Sequence, residues 1–147
     1  MTSLHPYIAF ENAKEALQYY EEVFGATNIH RLPVGEDQAE YFHMTKEQAK
    51  DATMHAEFEF LGVKILCADR FNHAQINNGI TLLIDFDVNN TEDANNVEQF
   101  FKKIKNDESI NIEMELEEQF WGGIMGAFTD KYGVRWMLHG QDYSKMN

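Results

Sequence analysis

This 147-residue sequence is poor in cysteine and in positive charge. Its single cysteine, Cys67, excludes an intramolecular disulfide and favours a reducing compartment. Its 12 Lys and Arg residues stand against 25 Asp and Glu residues, which gives a formal net charge of -13. A surface this negative repels phosphate backbones and anionic lipid headgroups. We therefore expect neither a nucleic acid nor a membrane as a partner.

Long apolar segments and several enzyme motifs are also missing. No run of about 18 apolar residues is present, and the N-terminus shows no basic segment followed by an apolar run. We therefore expect a cytoplasmic protein. The sequence has no Gly-rich phosphate loop with Lys and Ser/Thr, no Gly-x-Ser-x-Gly elbow and no Cys-x-x-Cys. These absences argue against P-loop, serine-hydrolase and thiol-redox functions.

What the sequence does have is enough apolar material for a packed core. Hydrophobic residues make up 44% and aromatic residues 13%, a composition that excludes a disordered chain. The length suits one ordinary domain, or two half-domains fused around one core.

The first half of the chain predicts the order strand, helix, strand, strand, strand. A helix should begin after Asn12, a good N-cap with Glu15 three residues later, and end at Gly25. The segment 54–60 alternates, so His55 and Glu57 share one face. Strands are predicted over 4–10, 28–34, 54–60 and 63–68, with a loop over 35–51 that contains a short helix over 46–50.

The second half predicts the same order again. Asn90 or Thr91 should cap a helix that runs to Lys105, and strands are predicted over 80–88, 110–116, 123–129 and 134–139. The segment 61–65 (LGVKI) also parallels the segment 132–136 (YGVRW). We therefore predict an α+β fold of two βαβββ modules, about 1–70 and 79–147, within one domain.

Three ordered blocks carry a family resemblance. They are the segment 5–25, from HPYIAF to VFG; the segment 54–58, MHAEF; and the segment 121–136, which contains WG, FTD and GVRW. Together they resemble the PhnB-like branch of the vicinal oxygen chelate superfamily, which includes glyoxalases, bleomycin-resistance proteins and extradiol dioxygenases. The resemblance implies paired βαβββ modules whose curved mixed sheet encloses a cleft, and it implies a homodimer.

Superfamily members that hold a divalent ion use His and Glu side chains from facing strands. By this resemblance, His5 and Glu57 fall at two ligand positions, whereas Leu83 and Met137 occupy the other two. Methionine is a soft ligand and a poor partner for a hard divalent ion. We therefore expect no complete metal site and no cofactor, although His55 and His139 remain available as substitute ligands.

The same positions predict a ligand pocket lined by His5, His55, Glu57 and Trp121, because polar and aromatic groups converge in small-molecule sites. Each residue also has a plainer interpretation. His5 can be an ordinary residue near the chain end, His55 and Glu57 can lie on a solvated sheet face, and Trp121 can belong to the core.

Two further residues are expected in the interior. Trp136 shares a strand face with apolar neighbours, which indicates a core position. Cys67 is expected to be a buried, inert thiol because no cationic motif lies beside it in the sequence.

Two functions follow from these observations, and a third is weaker. The first is a binding protein for a small molecule. The alternative is an enzyme of the superfamily, either a divalent-metal-dependent isomerase, lyase or dioxygenase, or one that uses His55 or Glu57 as a general base. The third is a methyltransferase, but the Gly-rich loop expected after the first strand for a methyl-donor site is absent.

Overall fold

The computed structural model describes residues 2–71, 75–77 and 79–145. The chain forms two compact units, Met1–Ile76 and Asn77–Asn147. Within the described ranges, no helix is long and apolar enough to cross a membrane.

The first unit contains one four-stranded sheet with the order β1-β4-β3-β2. Strand β1 runs parallel to β4, and the other neighbours are antiparallel. Its elements are β1 (Tyr7–Phe10), α1 (Ala13–Tyr19), β2 (Thr27–Pro33), α2 (Lys46–Asp51), β3 (Thr53–Phe60) and β4 (Val63–Asp69).

The second unit repeats this topology, with the order β5-β8-β7-β6 and a parallel β5–β8 pair. Its elements are β5 (Leu82–Asp87), α3 (Thr91–Lys105), β6 (Asn111–Glu118), β7 (Ile124–Thr129) and β8 (Arg135–Gln141). The predicted α+β fold of two βαβββ modules with mixed sheets is therefore confirmed.

Local signals in the sequence explain where the main helices begin and end. The side chain of Asn12 accepts a hydrogen bond from the Glu15 amide, and Asn90 accepts one from the Asp93 amide. Helix α1 widens into a π-helical turn over Tyr20–Phe24, and Gly25 closes it in the left-handed conformation at φ 73°. Both predicted N-caps and the predicted end at Gly25 are confirmed.

Helices α1 and α3 each pack on one face of the sheet in their unit and form the core there. In the first unit Tyr20 stacks on Phe58 with ring centroids 4.7 Å apart, and Cys67 is fully buried. In the second unit Phe128 and Trp136 are fully buried. The core positions predicted for Trp136 and Cys67 are confirmed.

The structure corrects the prediction at two strands. Strand β1 begins at Tyr7 rather than at residue 4, and Leu4 is 97% exposed. Strand β6 was predicted over 110–116 but forms over Asn111–Glu118, and Met114 in its middle is 37% exposed. The register of β6 against β7 shifts on both sides of Met114, which breaks the strict alternation of an edge strand.

The predicted loop over 35–51 is more ordered than expected. It contains a short 3₁₀ turn, Glu36–Gln38, which was not predicted. The helix predicted over 46–50 is confirmed as α2, which begins at a capping box between Thr45 and Gln48. Val34, Ala39 and Ala49 form a small buried cluster beneath this segment.

Candidate functional site

The predicted site residues of the first unit lie on or beside the sheet face that points away from the core, which we call the open face of the unit. Register pairs join Tyr7 to Leu66, Leu66 to Glu57, and Glu57 to His30, so these four side chains form a row across the sheet. His55 lies on the same face of β3, two residues before Glu57.

Two polar contacts organise the open face of the first unit. The Oη atom of Tyr7 lies 3.1 Å from Nδ1 of His55, and Nζ of Lys64 lies 3.2 Å from a carboxylate oxygen of Glu57. Desolvation by neighbouring atoms, with a smaller contribution from Cys67, raises the pKa of Tyr7. The Tyr7 hydroxyl therefore keeps its proton at neutral pH.

His5 lies before β1 and is exposed. Its Nδ1 atom is 3.2 Å from the carbonyl oxygen of Lys64, and its Nε2 atom is 3.1 Å from the hydroxyl of Ser3. His5 is thus held at the margin of the sheet through β4.

The open face of the second unit carries a connected polar group. Asp85 and His139 are register partners on the parallel strands β5 and β8. Nδ1 of His139 lies 2.7 Å from Oδ1 of Asp85, and the hydroxyl of Tyr143 donates to Oδ2 of Asp85 at 2.5 Å. The bond to Asp85 raises the pKa of Tyr143, and desolvation and the charges of Asp85 and Asp87 act in the same direction.

Trp121 stacks on His139, with ring centroids 5.4 Å apart and an interplanar angle of 23°. A tight turn brings it there: the amide of Gly122 donates to the carbonyl of Gln119, and Gly122 has φ 95°. A Cβ atom at Gly123 would lie only 1.8 Å from Cζ3 of Trp121. Only glycine at position 123 leaves room for the indole in this place.

The superfamily resemblance expects a His and a Glu at positions 83 and 137 of the second half. In the structure these two positions are neighbours. Leu83 on β5 pairs directly with Met137 on β8. Leu83 is 48% exposed, and its partner is partly buried. The expected ligand positions are therefore adjacent, but they carry an isobutyl group and a thioether.

The internal duplication identifies the equivalent pair in the first unit. Aligning the segments 61–65 and 132–136 places Leu66 opposite Met137. Tyr7 pairs with Leu66 in parallel register, as Leu83 pairs with Met137. By this correspondence the first-unit counterparts are Tyr7 and Leu66, and not His5 and Glu57.

This set of side chains does not suit a divalent ion. A metal centre needs several N, O or S ligands converging on one point, whereas the four equivalent positions hold one phenol, two isobutyl groups and one thioether. Within the ranges that the structure describes, no group of three or more His, Cys, Asp or Glu side chains is arranged to hold a metal.

The first unit also contains an open depression of about 430 Å³, away from these residues. Of its acidic side chains, Asp69 accepts bonds from the backbone amides of Ala13 and Thr53, and Asp51 pairs with Lys14 at 2.8 Å. The hydrogen bond and charge of Lys14 lower the pKa of Asp51. These carboxylates hold the fold together at this place.

Of the four predicted pocket residues, His5, His55 and Glu57 belong to the first unit and Trp121 to the second. That all four contact one ligand stays a prediction. The sequence reasoning missed Asp85 and Tyr143 and named His139 only as a substitute metal ligand. Period-two alternation puts residues 83 and 85 on one side of β5, and residues 137 and 139 on one side of β8. Only the parallel register of β5 and β8 shows that these are the same side of the sheet.

Comparison with known proteins identifies relatives over nearly the whole chain. A family model described as 3-demethylubiquinone-9 3-methyltransferase matches residues 2–139. Protein YjdN of Escherichia coli (strain K12) is 28% identical over 144 residues, which span 92% of this chain and 93% of YjdN.

Solved structures agree with this fold. The PhnB protein of Bacillus cereus has a TM-score of 0.56 at 20% identity, covering 95% of this chain and 100% of that one. A glyoxalase/bleomycin resistance protein/dioxygenase of Alicyclobacillus acidocaldarius has a TM-score of 0.61 at 15% identity, covering 99% and 95%. The chain therefore belongs to the PhnB-like family, whose model is described as 3-demethylubiquinone-9 3-methyltransferase, and it has the glyoxalase/bleomycin-resistance fold.

Proposed function

We propose that this protein binds a small organic molecule and does so without a complete divalent-metal site. The observation that carries the proposal is the direct pairing of Leu83 with Met137, at positions where metal-dependent relatives would place a His and a Glu. The corresponding pair in the first unit, Tyr7 and Leu66, offers at most one weak oxygen ligand.

The ligand contacts that we propose are His5, His55, Glu57 and Trp121. They combine hydrogen-bonding groups with an aromatic surface, which is the usual composition of a small-molecule site. The net charge of -13 disfavours anionic ligands. The ligand class proposed is therefore an uncharged or cationic molecule with an apolar body.

We do not carry the methyltransferase activity in the family's description over to this chain. The connections from β1 to α1 (Glu11-Asn12) and from β5 to α3 (Val88-Asn89-Asn90) contain no glycine. A nucleotide-like methyl donor is commonly held where a Gly-rich turn lets the backbone approach it closely after the first strand.

Ligand binding can be measured with N-phenyl-1-naphthylamine, an uncharged aromatic probe whose fluorescence rises in apolar surroundings. We expect saturable binding that His55→Ala and Trp121→Ala each weaken several-fold. Phe120→Ala is the matched control because its side chain is fully exposed and lies beside Trp121 in the sequence. Equal losses in the control and in Trp121→Ala would count against the proposed contacts.

The metal question has a separate test. Untagged protein, purified without chelator, should show no stoichiometric binding of Mn²⁺, Ni²⁺ or Zn²⁺ in calorimetric titrations. One tightly bound ion per chain, lost in Glu57→Ala, would overturn the metal-free proposal. It would then favour the alternative, a divalent-metal-dependent isomerase, lyase or dioxygenase.

We also propose that the protein is a cytoplasmic homodimer. Each sheet has two edge strands, and proteins cover or pair such edges to avoid uncontrolled association. Sedimentation at micromolar concentration should give twice the monomer mass. A single species at the monomer mass would contradict the dimer.

A further inference from the structure

On the open face of the second unit, Asp85, His139 and Tyr143 form hydrogen bonds whose donors and acceptors can be assigned. Asp85 uses both carboxylate oxygens, one towards Nδ1 of His139 and one towards the hydroxyl of Tyr143. An ionised carboxylate only accepts hydrogen bonds. His139 therefore donates from Nδ1, which assigns the Nδ1–H form of its neutral ring.

This tautomer leaves Nε2 of His139 as a hydrogen-bond acceptor. Within the part of the chain that the structure describes, Nε2 has no hydrogen-bond partner, and the side chain is 20% exposed. Asp85 fixes the orientation of the ring through Nδ1, and Nε2 remains able to accept a hydrogen bond from a ligand.

Trp121 supplies an aromatic surface beside this acceptor. Its indole ring stacks on the His139 ring, and Trp121 as a residue is 40% exposed. The absence of a side chain at Gly123 leaves space for the indole, so the sequence of the turn favours this position of the ring. An exposed indole surface beside an oriented acceptor favours a planar aromatic ligand.

The charges around the group select against anions. Asp85 and Asp87 lie on the same face of β5, and Asp87 is near enough to Tyr143 to raise its pKa. An anionic ligand at this place would meet both carboxylates, whereas an uncharged hydrogen-bond donor would not be repelled.

We propose that Nε2 of His139 accepts a hydrogen bond from an uncharged planar aromatic molecule that carries an O–H or N–H group and contacts Trp121. This rests on the proposed small-molecule binding function and names the acceptor and the ligand class. Asp85 and Tyr143 act as positioning residues that fix the tautomer and the ring orientation.

Two probes that differ in one donor test the proposal. The planar alcohol 2-naphthol has an O–H group, and 2-methoxynaphthalene has the same rings without it. Fluorescence anisotropy gives the dissociation constant of each. We expect 2-naphthol to bind about fivefold more tightly, the usual effect of one net hydrogen bond.

The variants separate hydrogen bonding from stacking. His139→Phe keeps an aromatic ring against Trp121 but removes Nε2, so the preference for 2-naphthol should fall to about one while 2-methoxynaphthalene still binds. Asp85→Asn should lower the same preference because it frees the tautomer. Asp107→Asn removes a carboxylate that accepts its hydrogen bonds from Ser109 in a surface turn, and it should leave the preference unchanged.

Each result decides the inference. Equal affinity for the two probes in the unmodified protein, or a preference that survives both His139→Phe and Asp85→Asn, would overturn it while leaving small-molecule binding intact. Failure of both naphthalenes to bind would also overturn it. Failure of N-phenyl-1-naphthylamine as well would reject the proposed function itself.

Discussion

The two units share one topology but place different chemistry on their open faces. In the first unit the face carries the Tyr7–His55 contact and the Lys64–Glu57 ion pair. In the second, a carboxylate links a histidine and a tyrosine, and a tryptophan covers the histidine. The helix-covered faces must pack, so duplication preserves their apolar pattern, whereas the open faces are free to diverge.

The hairpins that join the last two strands of each unit differ in the same way. Leu61 and Gly62 form a two-residue turn with φ values of 49° and 77°, which is the type I′ pattern. In the second hairpin the amide of Asp130 donates to the carbonyl of Val134, so the turn has three residues, 131–133, and Asp130 is buried. At the equivalent place before the first turn lies an apolar residue, Phe60. Both turns thus contain a glycine at positive φ, and the second turn adds a buried carboxylate.

Removal of the Asp130 carboxylate should cause the largest loss of stability among the changes to the two hairpins. Asp130 accepts bonds from the amides of Tyr132 and Val134, and from Nε1 of the buried Trp136 at 2.8 Å. Asp130→Ala leaves these donors without their acceptor and should lower the free energy of unfolding by about 3 kcal/mol. Urea unfolding measures this loss. Asp107→Ala, which removes a carboxylate from a surface turn, should cost clearly less.

The turn glycines test whether the two hairpins share their backbone requirement. Gly62 and Gly133 have φ 77° and 84°, and no heavy atom lies within 4 Å of a Cβ built on either. Gly62→Val and Gly133→Val should therefore each cost about 1–3 kcal/mol through backbone strain alone. Gly35 has equal space but φ -67°. If thermal unfolding shows the same loss in Gly35→Val, backbone strain is not the cause.

The two cores also differ at the position of Cys67. Cys67 is buried where the second unit has Leu138, and burial, aided by the charge of Asp69, raises the pKa of the Cys67 thiol to about 12. In the unfolded chain the thiol has its ordinary pKa of about 9.0. The Cys67 thiol therefore contributes fully to the free energy of unfolding below pH 9. This contribution decreases as the pH rises from about 9 to about 12, because the unfolded thiol loses its proton first.

Urea midpoints measured across that range should fall more steeply for the unmodified protein than for Cys67→Ala. The thiol should also resist Ellman's reagent in the native protein and react once the protein is unfolded in urea. Rapid reaction in the native state would show that Cys67 is accessible and would remove the predicted difference between the cores.

The smallest effect on stability, but a direct one on the second open face, is expected for Gly123→Ala. The added methyl group would displace the Trp121 ring. We expect a change in thermal midpoint of only a few degrees, together with a red shift of tryptophan emission and weaker N-phenyl-1-naphthylamine binding. An unchanged emission spectrum would show that Trp121 keeps its place. Gly35→Ala is the control.

Most of the fold could be predicted because its signals are local. The N-caps at Asn12 and Asn90, the end of α1 at Gly25 and the alternation in β3 each depend on a few neighbouring residues. Strand β6 was harder because its register shifts depend on its partner strand β7. The repeated order of elements then followed from placing these signals along the chain.

The candidate site was less predictable. His55 and Glu57 were found from alternation within one strand. Asp85 and Tyr143 were not, because Asp85 is 54 residues away in the chain from His139 and 58 residues away from Tyr143. Likewise, the resemblance alone placed Glu57 at a ligand position, whereas the register and the repeat point to Leu66. The alternation of residues within one strand does not determine which residue of a distant strand it pairs with.

The sequence by itself determined the two βαβββ modules, the acidic surface, the buried Trp136 and Cys67, and the family. These depend on composition, caps and alternation, which act over a few residues. Only the tertiary structure decided that Leu83 pairs with Met137, that Asp85 orients His139, and that Trp121 stacks on His139. The reason is physical: parallel pairing and ring stacking join residues that are far apart in the chain, and their partners are set only when the sheet forms.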